Sequence, residues 1–180
     1  MKPDAQTPAS AQPASPAPPP LDALLAVIYR EAHCLDTQAF DHWLTLFTDD
    51  AIFWMPAWTD TGRLTDNPDR ELSLMYSAAR AGLADRVWRV RSGLSVASVP
   101  LLRTTHSISN PVLIDGTSTE AEVHTSWTCH VWNTKRKSQH VLFGRYEHRL
   151  IGQQNHWLIA RKKIILMNDL IPTMIDFYCV

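Results

Sequence analysis

The side chains of this 180-residue chain best suited to hold a metal are eight histidines and three cysteines, and their spacing decides whether they can. His124 and His130 stand six apart in a stretch of strand-like alternation and so share a face. At ~3.3 Å per residue their Cα atoms are ~20 Å apart, too far for one ion. His140, His148 and His156 recur every eight residues, and the first two are too far apart along their strand for the same reason. A cross-strand pair of His130 with His140 or His148 stays open. Cys34, Cys129 and Cys179 form no CxxC and are odd in number, which points to reduced thiols packed as small core residues in the cytoplasm. No CxH with a later CxxH supplies a histidine-ligated iron–sulfur cluster, and no two-histidine, one-carboxylate set offers a facial triad for non-haem iron. GxSxG, GxxxxGK[ST] and GxGxxG are missing too.

Composition narrows the field further. Apolar residues make up 45% and charged residues 19%, as in a globular protein, and the formal net charge is −1. That balance gives no general pull toward nucleic acid or an anionic membrane. The basic clusters Arg86 to Arg91, Lys135-Arg136-Lys137 and Arg161-Lys162-Lys163 are short and interrupted, as solvated faces, turns or a protein interface would be. No apolar run of 18 residues is present, and the N-terminus lacks the apolar core of a signal peptide.

The elements that must carry these side chains follow from periodicity. Residues 1–20 hold seven of the twelve prolines and read as a disordered or polyproline-like arm ahead of one domain over 21–180. Leu21, Leu24, Leu25 and Ile28 predict a helix to about Cys34, after which Asp36 can cap a second helix carrying Phe40, Trp43, Leu44 and Phe47. Thr48-Asp49-Asp50 reads as a turn and Ala51 to Trp58 as a strand that Pro56 interrupts. In that strand Phe53 and Met55 should share a side, with Trp54 opposite. After a polar loop, Asn67-Pro68-Asp69 predicts a helix start, with Leu72, Met75, Tyr76 and Ala79 buried. Gly82 should bend or break that helix, and Leu83, Val87 and Val90 carry a further helical stretch. Ser95 to Leu102 is ambiguous. Strands are then expected over Thr104–Asp115, Thr119–Asn133, Gln139–Ile151 and His156–Met167, joined by short turns into an antiparallel meander.

Helices first and a curled antiparallel sheet afterwards define an α+β fold. The order resembles the cone-shaped, NTF2-like fold of the nuclear-transport-factor-2 superfamily, with N-terminal helices packed on a strongly curved antiparallel sheet. Cones of this kind can hold an acid or histidine as a base at the bottom of an apolar pocket, for proton abstraction or dehydration. Asp49, Asp50, His106, His124 and His130 are the candidates here. Each competes with a plainer reading as a turn residue or a satisfied strand histidine.

Four blocks in order, FWMPAW, LTDNPDRELSLMY, RAGLADRVWRVRSG and RTTHSISNPVL, resemble the small (beta) subunit of aromatic-ring-hydroxylating dioxygenases. The resemblance covers residues 21–180 and is nearest to the benzoate, toluate, anthranilate and halobenzoate branch. It implies a non-catalytic subunit with no catalytic, cofactor-binding or metal-binding residue of its own. It also implies a trimeric base supporting large alpha subunits in an α3β3 hetero-hexamer. The Rieske [2Fe-2S] cluster and the mononuclear Fe(II) would sit on that large subunit, and a separate reductase would supply electrons from NADH. The run Asp85 to Arg91 and the C-terminal IPTMIDFYCV become candidate subunit contacts, since Trp and Arg are enriched at interface hot spots. A free-standing isomerase or dehydratase of the same fold, and a small-molecule-binding module, are the competing readings.

Overall fold

A computed structural model describes residues 19–93, 99–154, 156–169, 171 and 175–180. The expected arm therefore lies, apart from its last two residues, outside the described part, as do residues 95–98 of the ambiguous stretch. Helix α1 spans Leu21–Asp36 and buries Leu24, Ile28 and Leu35 on one stripe, with Glu31 on the same stripe. A short α2, Phe40–Thr45, follows, then β1 (Phe47–Pro56), β2 (Ser73–Ser77) and α3 (Arg80–Arg91). Four long strands close the order: β3 (Arg103–Gly116), β4 (Glu120–Asn133), β5 (Ser138–Gln153) and β6 (His156–Leu166).

The strand order is β2-β1-β6-β5-β4-β3. Strands β3 to β6 pair antiparallel in sequence order, as the alternation predicts, and β4 alternates buried and half-buried positions along most of its length. Strand β1 pairs antiparallel with β2 but parallel with β6. Helix α1 touches both the edge strand β3 and the inner strand β6, so the sheet has to curl around it. The register shifts in β3–β4, β5–β6 and β1–β6 are bulges of the kind that supply such bending.

Several expectations need correction. Asp36 does not cap a second helix: α1 runs on through it, Gln38 turns the chain at φ 58°, and α2 starts without a side-chain cap. Phe47 is not helical either, because β6 claims it in the pair Phe47–Ile159. Thr48-Asp49-Asp50 accordingly lies within β1 and is no turn. The helix expected from Asn67 is only a turn, in which Asn67 Oδ1 accepts from the Asp69 amide and the Glu71 carboxylate accepts from the amides of Asp66 and Asn67. Its presumed buried face is strand β2, with Met75 and Ser77 inward and Leu72 exposed. Pairing with β1 outweighs the local helix signal there. Gly82 sits in the first turn of α3 and breaks nothing. A Cβ on it would meet only the Ser77 hydroxyl, which can rotate away, so α3 packs on the end of β2 without needing glycine there.

The last correction concerns the expected C-terminal contact segment, residues 171–180, of which 172–174 lie outside the described residues. Phe177, Tyr178, Cys179 and Val180 are all buried in this chain's own core and are not free to make subunit contacts. The Phe177 ring stacks on Trp43 at 4.8 Å and meets Phe40 edge-on at 5.2 Å. Burying such a ring contributes about 1.5–3 kcal/mol. Phe53 and Met55 face the same core, and Trp54 turns to the other side, where its Nε1 donates to Ser73 Oγ at 2.9 Å. The register slips at Pro56, as expected.

Candidate functional site

Only one of the five candidate bases reaches the interior. The His106 side chain is 1% exposed, and its Nδ1 lies 2.6 Å from Asp36 Oδ1. The backbone amide of His106 donates to the other Asp36 oxygen at 2.9 Å. Burial pushes the Asp36 carboxyl up, but the hydrogen bonds from His106 outweigh it and hold the group below its usual range. A carboxylate orienting an imidazole is the geometry of a general base, yet the far nitrogen must also reach a substrate. Nε2 of His106 is buried without a partner, and no groove described below is lined by His106. The pair ties the end of α1 to β3.

The other four candidates do not converge on it. Asp49 is exposed and paired with Arg80, and Asp50 is exposed beside it. His124 lies on the outer face of β4, 2.9 Å from Glu122. His130 is exposed on that face, while the His140 position opposes inward-facing Val131, so these two histidines stand on opposite faces of the sheet. His148 opposes Val123 and is buried in the core, which removes the second cross-strand option. Among the described residues no three His, Cys, Asp or Glu side chains come together as a metal requires.

Periodicity and motif reading missed a different set of buried polar residues. Lys162 on β6 is 0% exposed, and its Nζ donates to both carboxylate oxygens of Glu31 at 2.9 Å and to the Val180 carbonyl at 3.3 Å. Glu31 Oε1 also accepts from Trp43 Nε1 at 2.8 Å. The ammonium lies 4.2 Å from the Tyr146 ring centroid, and Tyr146 stacks on Trp127 at 4.9 Å. Burial lowers the Lys162 ammonium despite the Glu31 carboxylate beside it, and raises the Tyr146 hydroxyl. His148, next to Lys162 across β5–β6, is held well below the usual histidine range by burial first and by that cation second. Rings and aliphatic side chains pack around the pair, which joins α1, α2 and β6 in the middle of the cone. The one sequence signal was Glu31 falling on the apolar stripe of α1.

The sheet's outer side carries shallower features. A groove of about 590 Å³ runs along the start of β1, lined by Thr48, Asp49, Asp50, Ile52, Ile151 and Arg161 among others. A neighbouring one of about 250 Å³ contains Asp115 and shares Arg149 and Arg161. On α3, Val87 and Val90 point inward, Trp88 is 64% exposed, and Arg91 makes a bidentate pair with Asp41 at 2.7 and 2.9 Å. Trp88 and Arg89 thus stay outside, as an interface would require.

Comparison with known proteins agrees with this picture. Residues 30–173 match the family described as "Ring hydroxylating beta subunit". The small subunit of 2-halobenzoate 1,2-dioxygenase from Burkholderia cepacia is 40% identical over 86% of this chain and 93% of its own length. The beta subunit of toluate 1,2-dioxygenase from Pseudomonas putida is 37% identical over 87% and 96%. Among solved structures, the beta subunit of benzoate 1,2-dioxygenase from Burkholderia mallei superposes with a TM-score of 0.75 at 32% identity, covering 89% of this chain and 97% of that one.

Proposed function

Because the chain belongs to the ring-hydroxylating beta-subunit family, we propose that it is the non-catalytic small subunit of an oxygenase that adds both atoms of O2 to an aromatic carboxylate. In this reading copies of the chain form a trimeric base under three large subunits in the cytoplasm. The Rieske cluster and the mononuclear iron belong to the large subunit, and a separate reductase feeds electrons to it from NADH. The observation that carries the reading is the 40% identity to a halobenzoate dioxygenase small subunit over nearly the whole length of both chains. The geometry supports the division of labour: the one buried carboxylate–imidazole pair among the described residues, Asp36 with His106, is enclosed in packing, and the other candidate bases are scattered over the outer surface. This chain's own chemistry is then mechanical. Its residues hold a rigid cone and present surfaces to partners.

The test is co-expression with the large subunit from the neighbouring reading frame, followed by mass measurement and oxygen uptake with benzoate, 2-halobenzoates, toluates and anthranilate. A hetero-hexamer with NADH-dependent uptake on at least one of these acids is expected, together with a colourless and inactive small subunit when purified alone. Turnover by the small subunit without an iron partner, or failure of the two chains to co-purify, would refute the reading.

A further inference from the structure

The chain carries a basic knob at one end of its sheet and an acid-lipped groove at the other. We propose that the β4–β5 hairpin tip of one copy docks, head to tail, into the outer groove of a second copy. The inference rests on the small-subunit reading only in taking self-assembly as that subunit's task.

The knob is Lys135-Arg136-Lys137, all exposed. Asn133 Oδ1 accepts from the backbone amides of Lys135 and Arg136 at 3.0 and 2.9 Å, and Lys137 turns the chain at φ 51°. The turn is therefore preset, and little ordering entropy remains to be lost on docking. None of the three cations forms an ion pair among the described residues. Trp132, 38% exposed, stands at the base of the knob as an apolar shoulder.

The groove exists because β1 and β6 separate. Phe47 pairs with Ile159 and Ile52 with Arg161, so the stretch from Thr48 to Ala51 bulges away opposite Ala160 alone. The opening of about 590 Å³ has an apolar floor of Ile52, Ile151 and Ala160 and an acidic lip of Asp49 and Asp50. That volume is in the range of small-molecule pockets and takes more than one side chain of the knob. Asp50 has no ion-pair partner among the described residues, and Thr48 Oγ1 is buried there without a hydrogen bond, ready to accept from an incoming ammonium or guanidinium. Arg149 and Arg161 also line the opening, but Glu120 and Glu122 take up their charge. Asp115, with no ion-pair partner among the described residues, adds a further acid in the adjoining groove.

Strand β4 runs from the acidic end, at Glu120, to the knob, beyond Asn133, so the two surfaces lie roughly 45 Å apart along the sheet. Complementary patches at opposite ends of one molecule make a heterologous contact, which repeats and closes into a ring when the rotation allows. A second copy supplies the complementary charges, since knob and groove both belong to this sequence.

The full chain, expressed alone, is measured by sedimentation velocity across a concentration series. Self-association should weaken about 100-fold in K135E/R136E/K137E and equally in D49K/D50K. In D50K, which breaks no internal ion pair, the loss should be about tenfold. Combining the knob and groove reversals in one chain should restore association to within about tenfold of the parent. Melting curves confirm that each variant folds. A parent chain that is monomeric throughout overturns the proposal, as does either reversal having no effect. Loss in both reversals without recovery in the combination assigns the surfaces to other partners and overturns it too. Co-purification with the large subunit is followed in parallel: its failure in the parent chain counts against the small-subunit reading, whereas its survival alongside a monomeric parent sinks only the head-to-tail contact.

Discussion

Replacing Lys162 by methionine should be among the most damaging changes this fold can suffer, and most of the damage should come from the residue left behind. Methionine keeps the length of the lysine stem and nearly its volume, so packing against Phe53 and Tyr146 survives. The Glu31 carboxylate then loses both 2.9 Å bonds to Nζ and keeps only the Trp43 indole, at 1% exposure. Removing one member of a buried pair costs about 3–5 kcal/mol, because the other charge cannot regain its solvation. Glu31→Gln combined with Lys162→Met removes both charges and leaves an amide oxygen to accept from Trp43. That double variant should lie within about 1–2 kcal/mol of the parent. Urea unfolding of the parent, both single variants and the double variant at pH 7, followed by tryptophan fluorescence and circular dichroism, gives the four free energies and hence the coupling. A Lys162→Met cost below about 1 kcal/mol, or a double variant as unstable as the sum of the singles, refutes the account.

Three further outcomes are expected. His148 is neutral in the native core, whereas the unfolded chain takes up a proton near the ordinary histidine pKa. Stability should therefore fall by about 1.4 kcal/mol per pH unit below about pH 6.5. Lys162 on β6 and His124 on β4 are the charged or titratable groups that act on it, and the Tyr146 ring meets it edge-on at 5.4 Å. His148→Phe should remove about one proton from that slope in pH-dependent urea titrations, and an unchanged slope counts against the assignment. Asp36 has a depressed folded pKa, so its contribution is present above the unfolded carboxylate range and lost as pH falls through the folded value. Asp36→Asn should cost about 1.5–3 kcal/mol at pH 7 and nothing additional at pH 2, as read by thermal melts at both pH values. Gly144→Ala would set a Cβ 1.8 Å from the Ile165 carbonyl oxygen, inside the β5–β6 ladder. A loss of about 3 kcal/mol or more is expected, and a variant melting with the parent would show that the strands can part there.

What the sequence made legible divides along physical lines. Long strands with short turns announce themselves, because alternation is local and hairpin partners are neighbours; β3 to β6 were placed within a few residues of their ends. Helix α1 was legible for the same reason. Strand β2 was not: Leu72, Met75, Tyr76 and Ala79 mimic a helical stripe, and only β1 beside it reveals the alternation of Leu74, Met75 and Tyr76. Asp36 looked like a cap because its real partner, His106, is 70 residues away. Glu31 and Lys162 are 131 residues apart, and no periodicity in either segment points to the other. The same holds for Phe177 and Tyr178, whose aromatic character suited an interface until the core showed a place for them. The absence of a converging base was the harder matter, since Asp49, Asp50, His106, His124 and His130 are separated by faces of a sheet that spacing alone cannot assign.

The parallel pairing of β1 with β6 also governs when this protein can fold. Every other strand contact is made with a neighbour in sequence, but β1 stays without its second partner until about a hundred residues more have been made. Trp58 waits likewise for the Leu166 carbonyl, 108 residues on, and Glu31 for Lys162. On the ribosome α1, α2 and the β1–β2 hairpin emerge able to pack only on one another, as Trp43 does on Phe47 and Phe53, while the faces that β6 and the C-terminus cover stay open. Such a chain completes its core late, and its nascent first half is the part most exposed to aggregation.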